Sequence, residues 1–184
     1  MLTEEQFRQV LDDRGVVPPG ALSTPERSSS YLVFAQRPDA CLDMRAIKQH
    51  AQRFFATKVG LTVEKKYRDD PPMTDAARIV LSSDDGLLAG TRFCFGRAAD
   101  MTDLAIVEEA ERNQGSTGMA LLAQRCPTAW LIETEGGEED RVALSLAAIL
   151  ASVLLGPIVP PKGDRVFGVR TARLELEKKS SPYR

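Results

Sequence analysis

Apolar and polar positions recur along this chain in two rhythms. A spacing of three to four residues marks helices, and strict alternation marks half-buried strands. The first rhythm opens the sequence. Phe7, Val10 and Leu11 form a helical stripe, Leu2 and Phe7 occupy hydrophobic-staple positions, Thr3 and Gln6 form a capping box, and Gly15 stops the run. Residues up to about 30 are rich in Gly, Pro and Ser, so a helix and a loop arm over 1–30 are predicted. Tyr31 to Ala35 is a continuous apolar run, as a strand buried on both faces requires. Asp43 can cap a helix reaching about Lys58, with Met44, Ile47, Ala51, Phe54 and Phe55 on one face and Gly60 as its end.

Alternation returns at Leu61, Val63 and Tyr67, which predicts an edge strand. Arg78 to Leu81 and Thr91 to Phe95 read as two strands of a hairpin turning through Ser83-Asp84-Asp85-Gly86. A helix over 101–112 follows, then a short helix started by Ser116 or Thr117 and closed by Pro127. Ala129 to Ile132 is a second apolar strand. Arg141 to Leu155 is an apolar helix stopped by Gly156-Pro157 and Pro160-Pro161. The segment from Arg165 to Leu176 is predicted to be a last strand with a bulge near Arg170-Thr171, leaving a polar tail over 177–184. The expected class is α/β, with α+β as the neighbouring possibility: a single domain over 1–184 with one mixed sheet of about six strands and helices packed on it.

Length and composition agree with one globular domain. The chain has 184 residues, 43% of them hydrophobic and 27% charged. A net charge of -2 argues against nucleic acid as a partner, because phosphate binding needs a basic excess. The apolar run from Val142 to Leu155 is shorter than the ~20 residues that span a bilayer, so no membrane segment is expected. Cys41, Cys94 and Cys126 are dispersed and odd in number, which reads as reduced thiols and a cytoplasmic setting.

Candidate chemistry is sparse. Gln114 to Gly118 is glycine-rich and precedes a helix, so Gly115, Ser116, Thr117 and Gly118 could cradle an anion, with Arg97, Arg92 and Arg125 as nearby cations. The loop has no Walker lysine and follows a helix, where a P-loop follows a strand. His50 is the only histidine, and it borders an apolar helical face with no carboxylate three or four residues away to orient it. The three cysteines have no histidine cluster beside them, so no metal site and no cofactor are expected. Glu108, Glu109 and Glu111, and the acidic run from Glu135 to Asp140, suit solvated helix faces and helix N-termini. With no catalytic constellation in view, the sequence points to a non-catalytic intracellular module. It would bind or assemble with another protein, or with itself as a homodimer through an uncovered face of the apolar helix. The alternative is a domain or enzyme for a small anionic ligand, built on the 113–118 loop and its arginines.

Overall fold

The computed structural model describes residues 5, 9, 24–38, 42–63, 75–86, 88–115 and 117–180. Apart from residues 5 and 9, the predicted N-terminal helix lies outside them, as do most of its loop arm, Cys41 and Ser116. In chain order the elements are β1 (Ser30–Ala35), α1 (Met44–Phe55), β2 (Thr57–Val63), β3 (Asp75–Ser83) and β4 (Ala89–Ala98). They continue with α2 (Met101–Gln114), α3 (Met119–Ala123), β5 (Thr128–Glu133), α4 (Arg141–Leu154), β6 (Ile158–Val159) and α5 (Val169–Ser180).

One open sheet carries the fold, with strand order β2-β3-β4-β5-β1-β6. The α/β class, the single sheet and its helical covering are as expected from the pattern. Strand direction refines that picture: every pairing is antiparallel where a mixed sheet was expected. Helices lie on both faces. Tyr31, Val33 and Ala35 of β1 point toward α1, α4 and α5, while Leu32 and Phe34 point toward α2 and α3. This explains the unbroken apolar run of β1, since neither face of the strand meets water.

The apolar helix α4 is central. Asp140 caps it by accepting from the Ala143 N–H at 3.0 Å, and all but three of its residues, Arg141, Ser152 and Val153, are buried. Its cover comes from the same chain, namely β1, α1 and α5. Gly156 follows it because no side chain fits: a Cβ there would sit 2.0 Å from the Phe34 carbonyl oxygen.

The structure corrects several boundaries. The segment predicted as a last strand is helix α5, and this helix takes up residues 177–180 of the predicted tail. Val169, Ala172 and Leu176 are three and four residues apart, so the parity shift read as a bulge is helical periodicity. Arg170, Arg173, Leu174 and Glu175 between them are good helix formers. Helix α1 ends earlier than predicted, at Ala56 in the left-handed region (φ 49°), and Gly60 lies inside β2 opposite Val80. Ile158 and Val159, read only as chain after a helix stop, add a two-residue strand beside β1.

Candidate binding site

The 113–118 loop is shaped for an anion, and a carboxylate of the same chain fills it. Gly115 ends α2 with φ 93° and Gly118 begins α3 with φ 77°. Glu111, one turn before the end of α2, reaches across this turn. Its Oε1 accepts from Thr117 N at 2.6 Å, Thr117 Oγ1 at 2.7 Å and Met119 N at 2.9 Å, and its Oε2 accepts from Ala120 N at 3.0 Å. The hydroxyl and backbone donors of Thr117, with those of Ala120 and Met119, hold the Glu111 carboxyl at a pKa of about 2. The N-cap of α3 is therefore Gly118 and not Ser116 or Thr117, and the missing side-chain cap is supplied from α2.

Arg97 does not join this loop. It grips Asp103 with two bonds of 2.6 and 2.9 Å at the start of α2, with Asp100 at 3.4 Å. Burial opposes its charge most strongly, but the bond to Asp103 and the charges of Asp103 and Asp100 together outweigh burial and raise its pKa. The loop follows the other end of α2, a helix of 14 residues, and a helix of that length is about 21 Å long. Arg92 is likewise engaged. It is buried against α4, bonded to Asp140 at 2.6 and 2.9 Å and 3.1 Å from Glu135. Arg125 is exposed.

The remaining candidates are occupied as well. His50 Nδ1 lies 3.0 Å from Ser152 Oγ, and that hydroxyl donates to the Ile149 carbonyl at 2.7 Å. This pair sits near the C-terminal end of α4, where carbonyls and not N–H groups would face an oxyanion. Cys94 and Cys126 are buried and not disulfide-bonded, and burial pushes the Cys126 thiol up to about 11, away from thiolate chemistry. Among the described residues no group of His, Cys, Asp and Glu could hold a metal ion. No helix among them is long and apolar enough to cross a membrane.

Among the described residues lie two clefts of a size that could take a ligand. One, of about 740 Å³, is lined by Glu26, Arg27, Glu109, Lys162 and Asp164 among others. Its central cation is spent on the fold, since Arg27 donates to the Ser30 and Pro160 carbonyls at 2.8 Å each. Burial lowers the Arg27 pKa to about 10, with the Asp103 charge acting against that shift.

The other cleft, of about 580 Å³, opens where α1, α4, α5 and the β3–β4 hairpin meet. The left-handed Ala56 turns the chain sharply from α1 into β2, which leaves Phe54 and Phe55 at the cleft wall. Phe54 is 40% exposed despite its place on the apolar stripe of α1. The Arg53 guanidinium lies 5.1 Å from the centre of the Phe54 ring, and that of Arg173 lies 5.9 Å from the centre of Phe55. Neither arginine has a carboxylate partner among the described residues. Arg141 lines the inner wall and donates to the Leu176 carbonyl at 3.3 Å, while Leu88 adds apolar surface. A guanidinium stacked on a ring keeps its N–H edge available for a carboxylate.

Sequence reasoning placed Phe54 and Phe55 on a core stripe and Arg173 in a strand. The only available signal was the Arg-Phe-Phe run at the end of α1, and it does not say what faces it. No protein-family model, curated protein or solved structure matches this chain, so its function rests on the chemistry of this cleft.

Proposed function

We propose that this chain is a non-catalytic, intracellular binding or assembly module, and that it receives a partner protein in the cleft between α1, α5 and the β3–β4 hairpin. The observation that carries the reading is the pair Arg53 and Arg173, each stacked on a phenylalanine and neither ion-paired among the described residues. By contrast, Arg92, Arg97 and Arg165 are each held by a carboxylate of the fold, Asp140, Asp103 and Glu175. Arginine and aromatic side chains are also the types that dominate binding energy at interfaces. Cys94 and Cys126 are not disulfide-bonded, which agrees with a reducing compartment. Self-association into a homodimer is one form of this function, but α4 gives no reason for it, because α1 and α5 already cover that helix.

A photo-crosslinking residue at Phe54 tests the proposal in lysate of the source cells. The expected result is a discrete protein adduct that is lost in the R53E/R173E variant. A control crosslinker at Leu121, exposed on the opposite face of the sheet, should not form it. Equal adducts at both positions would count against the cleft. The second reading is a small organic anion in the same cleft, whose volume falls in the range of ligand pockets. It predicts thermal stabilisation by carboxylates or phosphates that equal ionic strength of chloride does not reproduce.

A further inference from the structure

We infer that the occupant of this cleft is an acidic peptide segment of a partner protein, placing carboxylates on Arg53 and Arg173 and an apolar side chain against Phe54. The inference rests on the binding-module reading and names the chemistry of its partner.

Charge complementarity supplies the first argument. Arg53 and Arg173 belong to different helices, α1 and α5, yet line one cleft. A single compact anion would satisfy one guanidinium fork, whereas an extended segment can offer a carboxylate to each. The apolar surface supplies the second. Phe54 is 40% exposed beside Arg53 in the cleft wall, and an ion without an apolar part leaves that surface in water. The opposing charges are also identifiable. Asp85 on the hairpin already accepts from the Ser83 hydroxyl. Glu177, one turn beyond Arg173 on α5, is exposed at the rim and should repel an acidic partner.

The test is fluorescence anisotropy with the full chain and a short fluorescein-labelled peptide of glutamates around one leucine and one phenylalanine. Its counterpart has every glutamate replaced by glutamine. Saturable binding of the acidic peptide is expected, weaker by about tenfold or more for the neutral peptide and for R53E/R173E, and reduced by salt. R53K/R173K should fall between, since lysine keeps the charge but loses the stacked fork. E177Q should tighten binding by about twofold. Circular dichroism verifies that each variant is folded.

Equal affinity for the two peptides, or undiminished binding by a folded R53E/R173E protein, overturns the proposal. So does displacement of the peptide by benzoate at comparable concentration, which would make the ligand a small organic anion. Failure of the peptide to bind while the Phe54 adduct persists overturns the acidic occupant and leaves the binding module standing. Failure of both removes the two together.

Discussion

Replacing Glu111 by glutamine should make the protein less stable at neutral pH and flatten its response to acid. Four donors converge on this carboxylate, and they depress its pKa from 4.5 to about 2. A depressed folded-state pKa contributes stability that is complete above the unfolded value and lost as pH falls through the folded one. The melting temperatures of wild type and E111Q should therefore converge between about pH 5 and 2. A constant gap across that window would show that the charge has no part in the cap. Leu155 invites the opposite change. It is 62% exposed and left-handed, with φ 58°, a conformation that disfavours branched side chains. Leu155→Gly should raise stability by about 1 kcal/mol in urea titration, because its N–H still bonds to Ala151 and its carbonyl to Gln36. Cys126 gives a third check. With its thiol pushed up to about 11, alkylation of the native protein at pH 7.5 should run on the order of 100-fold slower than that of a free thiol. Rapid labelling would show a Cys126 thiol more reactive than its burial allows.

Among elements, β4 does more than extend the sheet. It sends Arg92 to one face and Arg97 to the other, and each meets an aspartate at a helix N-terminus, Asp140 for α4 and Asp103 for α2. The two junctions differ in burial, which sets their relative importance. Asp140 is buried and also accepts from the Glu135 N–H at 2.7 Å. Asp140→Ala removes a helix cap and both bonds of a buried guanidinium to it, leaving Arg92 with Glu135 and the Thr91 carbonyl, so it should cost about 2–4 kcal/mol in chemical denaturation. Asp100 is half exposed and caps α2 through a single bond of 2.9 Å to the Asp103 N–H. Asp100→Ala should cost about 1 kcal/mol. Equal losses at the two positions would mean that burial does not govern these junctions. Arg92 and Arg97 were visible in the sequence as cations near a loop. Their engagement was not, because Asp140 lies 48 residues from Arg92 and only strand pairing brings them together.

For the molecule as a whole, the centre of the sheet is assembled by contacts distant in sequence. β1 pairs with β5 in full register, Tyr31 opposite Ile132 and Val33 opposite Trp130, and α4 then returns across β1. Gly156 is the point of closest approach. Gly156→Ala places a methyl group on the Phe34 carbonyl and should cost at least about 2 kcal/mol, measured as a fall in the denaturation midpoint. An unaffected midpoint would show that the exit from α4 can shift without loss. The same assembly answers what covers α4. An all-round apolar helix is compatible in sequence with a dimer seam or with a core, and here α1 and α5 complete the core.

The sequence by itself determined the elements whose signals are local. Asp43 caps α1 through the Ala46 N–H, Gly86 turns the hairpin at φ 70°, and the apolar runs at 31–35 and 129–132 became β1 and β5. Those features depend on residues a few positions apart, or on a run too apolar to face water. Tertiary structure decided the rest. Helix α5 was misread because a short stretch with few apolar residues fits both periods, and only packing on α4 selects the helical one. The anion-shaped loop looked open until the fold brought Glu111 into it. The arginine and phenylalanine cleft draws its walls from four separated parts of the chain. A site assembled that way leaves no local spacing to read, because its geometry exists only after the sheet has formed.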